Sequence, residues 1–258
     1  MQLSVEQITP QLAEAFLQTS RGNRNFKDAK VRSYARDMAA GRWKVNGETI
    51  IFDKSGALID GHHRLKACVA SSANFSTCIV RGADQDAQQT IDMGASRTVG
   101  DVLSFRGERN SNHLNSVILA TVSIANGRPR SANLSSQEVL DFLNAYPEVR
   151  QSAVVSARKV LPRAGAVIGA IHFAAEMSGE ADKFERFFQS LSDGIPAYEG
   201  CPAHSVRERI LRDAARRAKM SLQDVHRLVI AAWNKFRVGA SVKTIKPETE
   251  YKIDGFSL

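Results

Sequence analysis

The sequence predicts an α+β protein: a small α/β domain over residues 1–107, then an all-helical domain over residues 108–258 with a basic C-terminal region. Three observations predict it. Short β-branched or apolar runs, Thr49–Phe52, Ala57–Ile59 and Phe75–Val80, cluster early in the chain. After Gly107 such runs become sparse, and apolar residues recur at helical spacing instead. Between the second and third runs, Asp60-Gly61 closes a strand and His62-His-Arg-Leu-Lys-Ala67 opens a helix.

The elements follow in order. Residues 5–10 read as an extended lead-in, with Thr9 as N-cap and Pro10 at the first helical position. Helix 10–18 carries Leu12, Ala13, Phe16 and Leu17 at helical spacing. A polar loop over 20–25 leads to helix 27–40, with Val31, Tyr34, Ala35 and Met38 on one face and Gly41 ending it. Strand 49–52, the turn Asp53-Lys-Ser-Gly56 and strand 57–59 form a hairpin. Strand 75–80 alternates poorly and is expected to be buried on both faces. Short helices are expected over 84–92 and 98–105, joined by a loop near the strand–turn–helix whose Arg97 reads as a surface charge.

In the second domain, helices are expected over 110–126, from Ser135, 149–160, 165–177, 182–191, 206–220 and 221–236. Ser135-Ser-Gln-Glu138 is a capping box. Helix 165–177 is apolar nearly all round and reads as buried, and Phe184, Phe187, Phe188 and Leu191 form a core stripe. The tail from Gly239 reads as polar and extended over the surface.

Composition narrows the function classes. Hydrophobic residues at 43% and charged ones at 24% are ordinary for a soluble globular chain. No apolar run approaches the ~18 residues of a membrane span. The N-terminus lacks a basic segment followed by an apolar one, so a cytoplasmic location is expected. Cys68, Cys78 and Cys201 are too few and too scattered for a zinc site or a disulfide framework.

The chemistry concentrates at Asp60-Gly61-His62-His63-Arg64. A helix N-terminus presents free backbone N–H groups and the positive end of the helix dipole. Cations oppose that dipole, so two imidazoles and a guanidinium in the first turn point to an anion, most naturally a phosphate. The structural alternative is that Asp60 caps the helix and a histidine is satisfied internally.

The stretch resembles the ParB/sulfiredoxin-like superfamily, whose signature is a strand, Gly-x-x-Arg or Gly-x-His-Arg, then a helix. Asp60-Gly61-His62-His63-Arg64 is close to the Asp-Gly-Gln/His-His-Arg form of many phage and plasmid members. Asn23-Arg24-Asn25-Phe26 stands where ParB proteins carry a Gln-Pro-Arg box, and the likeness covers residues 5–82. ParB's Gly-Glu-Arg-Arg is absent, which speaks against cytidine-nucleotide clamping. His62 replaces the sulfiredoxin Cys, which speaks against sulfinic acid reduction.

The resemblance implies a nucleotide- or phosphate-binding protein acting with nucleic acid. Arg24, Gly61, His62, His63 and Arg64 would bind the phosphates of a nucleoside triphosphate. Glu48, Asp60, His62 and His63 are the candidate catalytic residues for NTP hydrolysis, phosphoryl transfer or nuclease chemistry, with Glu48 and Asp60 able to hold Mg²⁺ or act as general base. The alternative is a non-catalytic, partition-like or regulatory DNA-binding module that senses nucleotide or grips a backbone phosphate. A homo-oligomer fits either reading.

Charge favours a nucleic-acid partner. Residues 205–246 hold eleven basic residues against three acidic ones, an excess equal to the +8 of the whole chain. Within it Arg209, Arg212, Arg216 and Lys219 recur at helical spacing as one stripe, the footprint of a polyanion partner or else a solvated face.

Overall fold

The structure, a computed structural model, describes residues 1–20, 27–84, 97–129, 132–216 and 220–258. The chain is mixed α+β and divides into two units, Met1–Ser96 and Arg97–Leu258, each with its own apolar core. The division precedes the change in sequence character at Gly107 because the helix Val99–Phe105 buries Leu103 in the second core.

The first unit runs β1 (Gln2–Ile8), α1 (Pro10–Gln18), α2 (Asp28–Ala39), β2 (Thr49–Asp53), β3 (Leu58–Asp60), α3 (His62–Ser71) and β4 (Phe75–Ala83). Its strands form one sheet in the order β1-β4-β2-β3, with β2 parallel to β4 and the other pairs antiparallel. Local chemistry sets the corners. Leu12 N–H donates to Thr9 Oγ1 at 3.2 Å, which caps α1 as expected. Asp53 Oδ1 accepts from Ser55 N–H at 2.8 Å and Ala57 N–H at 2.9 Å, closing the β2–β3 turn.

β1 is a full strand where the sequence suggests only a lead-in, because its partner β4 supplies the ladder that local propensity does not. Burial on β4 alternates: Phe75, Thr77 and Ile79 are buried while Ser76, Cys78 and Val80 are half-buried. This corrects the expectation of burial on both faces. Ile8, Ile50, Phe52 and Ile79 join Ala13, Met38, Leu65 and Cys68 of α1, α2 and α3 in one core on a single face of the sheet. Burial pushes the Cys68 thiol up to about 11, so it behaves as a small apolar residue.

The second unit runs α4 (Val99–Phe105), α5 (Ser111–Ala125), α6 (Ser136–Ala145), α7 (Val149–Ala157), α8 (Gly165–Met177), α9 (Ala181–Asp193), α10 (Pro202–Ala214) and α11 (Leu222–Arg237). The expected helix over 84–92 falls almost wholly outside the described residues. α8 is buried over most of its surface, as its apolar sequence requires. Two glycines let it approach α7: a Cβ at Gly165 would lie 2.8 Å from Ser156 O, and one at Gly169 would lie 2.8 Å from Ser152 O and 2.5 Å from Val117. At that distance Ser152 Oγ meets His172 Nδ1 at 2.8 Å, and Ser156 Oγ meets His113 Nδ1 at 3.2 Å. The Phe184–Leu191 stripe is core, with the rings of Phe184 and Phe187 edge-on to the fully buried Trp233.

Two expectations need correction here. α10 stops at Ala214 rather than running to residue 220, because Asp213 Oδ2 accepts from Met220 N–H at 2.7 Å and closes the turn toward α11. The segment after Gly239 is not a loose polar tail. Ile245, Tyr251, Ile253 and Phe256 are buried in the main core, and polar residues between them hide any periodic pattern. Among the described residues no helix is long and apolar enough to cross a membrane.

The α7–α8 contact predicts the response to one methyl group. Gly169→Ala is expected to destabilise the protein by about 1–3 kcal/mol through overpacking against Val117 and Ser152, read as a lower midpoint in urea unfolding.

Candidate functional site

The candidate site starts from Gly61, the N-cap of α3, at φ 104 and ψ 1. A Cβ there would lie 2.8 Å from Ile50 Cγ1 and 3.2 Å from Ile50 Cα, so the left-handed turn and the close approach to β2 both require glycine. Gly61 has no side chain with which to cap α3, and the first turn contains no acid. Asp60 therefore does not cap the helix, as the sequence reading allows. It ends β3, and its carboxylate points at Arg64 instead.

Arg64 is buried, with 7% of its surface exposed. Its Nη2 donates to Thr49 O at 2.8 Å and to Asp60 Oδ2 at 3.1 Å, and its Nη1 donates to Glu48 Oε2 at 3.3 Å. The planar fork spans the start of β2, the end of β3 and the first turn of α3. The Glu48 backbone is held as well: its N–H donates to Asn46 Oδ1 and its carbonyl accepts from Thr77 Oγ1. The Glu48 side chain stays 63% exposed, that of Asp60 27%.

The histidines take a different direction. His62 Nε2 lies 2.7 Å from Ser20 Oγ, just after α1. His63 Nε2 accepts from Lys27 N–H, the N-cap of α2, at 3.2 Å. Burial lowers the His62 pKa below the ordinary imidazole value, against a raising influence of Asp60 and with a further lowering by Lys66.

The structure thus joins Glu48, Asp60 and Arg64 in one cluster and sends His62 and His63 to the flanks of α1 and α2. Arg24 lies outside the described residues. This changes the charge argument. Arg64 faces two carboxylates rather than an outside anion, burial disfavours the charged form of His62, and His63 accepts a hydrogen bond. The positive end of the α3 dipole remains as an anion-attracting element. Arg64 takes one oxygen of each carboxylate, Glu48 Oε2 and Asp60 Oδ2. Among the described residues no group of three or more His, Cys, Asp and Glu is placed to hold a metal ion. A cavity of about 360 Å³ between Met38, Trp43 and Phe75 contains none of the candidate residues.

The basic stripe is also rearranged. Arg209 is half-buried and its Nη1 donates to Ile245 O, so it fastens the C-terminal segment. Arg212 and Arg216 are exposed, and Lys219 lies outside the described residues. Arg237 pairs with Glu180 at 2.8 Å and donates to Asp254 O, and Lys235 stands 4.0 Å from Glu248. Part of the basic excess therefore serves the fold. Ser20, Lys27 and the Thr49 carbonyl are the partners that sequence reasoning misses. Ser20 lies 42 positions from His62, and no local pattern couples them.

Two outcomes follow for this cluster. Arg64→Ala leaves Asp60 and Thr49 O without their donor and is expected to cost about 1–3 kcal/mol in denaturant unfolding. Arg64→Lys should restore only part of it, since an ammonium cannot fork among three acceptors. The second concerns pH. His62 has a lowered folded pKa, so its contribution is present above the unfolded value of about 6.5 and is lost as pH falls through the folded pKa. His172, also lowered by burial, adds to the same slope. Midpoints recorded from neutral to mildly acidic pH should fall, and His62→Gln should flatten part of that fall.

No protein-family model, curated protein or solved structure matches this chain.

Proposed function

We propose that the first unit is a phosphate-binding domain of the ParB/sulfiredoxin-like kind, which takes a nucleotide by its phosphates at the N-terminus of α3 in a protein that works with nucleic acid. The observation that carries the reading is the start of α3: a left-handed glycine at the N-cap, whose missing Cβ leaves the turn open to close approach, and a first turn with two imidazoles and no acid. Phosphate oxygens suit the positive end of a helix dipole. Gly61 makes the approach possible because no Cβ stands over the turn. His62 and His63 bring imidazoles to the same turn, and their bonds to Ser20 and Lys27 bring the flanks of α1 and α2 to it.

Glu48 supplies the route to catalysis. Its carboxylate is held by Arg64 yet largely exposed, so it can accept a proton from water or from an acceptor hydroxyl during hydrolysis or transfer of a terminal phosphoryl group. One observation favours the second reading, a non-catalytic module that senses nucleotide or grips a backbone phosphate. Glu48 and Asp60 are both already bonded to Arg64, which engages one oxygen of each carboxylate.

A thermal-shift panel tests the proposal, using inorganic phosphate and nucleoside mono-, di- and triphosphates with and without Mg²⁺. A ligand bound only by the folded state stabilises it by about 2.7 kcal/mol at a hundredfold excess over Kd, so the midpoint should rise with triphosphate. His63→Ala should reduce that rise. Release of phosphate by the wild type and its loss in Glu48→Gln, with the midpoint rise retained, assigns catalysis to Glu48. A midpoint rise without turnover assigns the sensing role. No shift with any phosphate removes α3 as a binding site.

A further inference from the structure

The helical unit carries a cationic edge that the linear sequence does not display. Two segments meet there: residues 158–164 between α7 and α8, and the described residues 215–216 and 220–221 between α10 and α11. Arg163 Nη1 donates to Met220 O at 2.6 Å, and Met220 N–H donates to Asp213 Oδ2 at 2.7 Å. The Arg163–Met220 bond ties the segment holding Arg158, Lys159 and Arg163 to the end of the α10–α11 connection that Arg216 begins, and all four are exposed. Among the described residues none of the four forms an ion pair. Asp213 accepts from Met220 N–H and Asp224 from the Ser221 hydroxyl at 2.7 Å. Arg158 is oriented by the Phe188 ring, 5.4 Å below its guanidinium.

The backbone adds an independent observation. Lys159 has φ 51 and Arg163 has φ 63, so two long cationic side chains in one short turn occupy the left-handed region. Glycine or asparagine sits there at lower cost. Residues held in sparsely populated conformations cluster at functional positions. Here the strained positions carry the exposed charges.

We propose that this edge binds a nucleic-acid backbone, with the guanidinium and ammonium groups of Arg158, Lys159, Arg163 and Arg216 meeting successive phosphates. Arginine forks match phosphate oxygens. A membrane surface would call for an apolar face beside the charges, and no large apolar side chain stands exposed on the described residues of either turn. Contacts of this kind position a backbone and carry no base information, so binding is insensitive to sequence. The proposal concerns a different unit from the α3 site and does not depend on it.

The test is fluorescence anisotropy of the full chain with a labelled mixed-sequence DNA duplex across a salt series. The triple variant Arg158→Gln, Lys159→Gly and Arg216→Gln should bind more weakly. Its plot of log affinity against log salt should be shallower than wild type by roughly 2 to 3 units, since each phosphate contact contributes about −0.9. A control of equal charge change, Lys243→Gln, Lys246→Gln and Lys252→Gln, should keep the wild-type slope. Lys159→Gly alone should raise the thermal midpoint while weakening binding, because it relieves the left-handed strain and removes the charge together; a purely structural role cannot give that pair of results. The proposal is overturned if wild type fails to bind the duplex at low salt, if the triple variant keeps the wild-type slope, or if the control flattens it equally. Binding to phosphatidylserine vesicles but not to the duplex also overturns it.

Discussion

One guanidinium determines how the first unit is arranged. Arg64 reaches an acceptor before β2, one at the first residue of β2 and one at the end of β3, while its own backbone forms the first turn of α3. Three segments distant in the chain thereby share one buried cation. The position of the α3 N-terminus relative to the sheet follows from this junction and from the close approach of Gly61 to Ile50. The arrangement also explains why a motif rich in positive charge does not present that charge outward. A buried cation requires paired anions, and here those anions are the carboxylates that a catalytic reading would assign to chemistry.

The second unit is organised by approach rather than by charge. Gly165 and Gly169 allow α8 to lie against the serine-bearing face of α7, and the two buried serines then meet His172 and His113. Beyond α8 the aromatic residues of α9 and α11 meet around Trp233. The segment after α11 completes this core rather than leaving it, with Phe256 packed edge-on to Phe173 of α8. Its backbone is secured by Arg209, Asn234 and Arg237, which accounts for much polar chemistry in a region whose sequence suggests a solvated surface.

The features legible in the sequence are those whose cause is local. Thr9 with Pro10, the Asp53–Gly56 turn, the Ser135 capping box and the strand–Gly–helix at Asp60–Arg64 are each determined within a few residues, and each forms where the sequence puts it. The periodic Phe184–Leu191 stripe is legible for the same reason. The features not legible depend on partners far along the chain. β1 requires β4, Arg209 requires the Ile245 carbonyl, and His62 requires Ser20. At the candidate site the residue types were readable but their pairing was not, because spacing alone does not say whether Arg64 faces inward to Glu48 and Asp60 or outward to a ligand. The meeting of residues 158–164 with the α10–α11 connection is the extreme case, since the bond between Arg163 and Met220 joins positions 57 residues apart.

The buried segment at residues 245–256 also bears on how the chain is made. Among the described residues the first unit has all of its strands by Ala83, so its sheet can close while the later helices are still being synthesised. The helical unit has no such freedom. Its core includes Tyr251, Ile253 and Phe256, so α8 and α11 keep an uncovered apolar face until those residues have left the ribosome. The two halves therefore mature at different times. During that interval the nascent helical unit is the part of the chain open to chaperones and proteases.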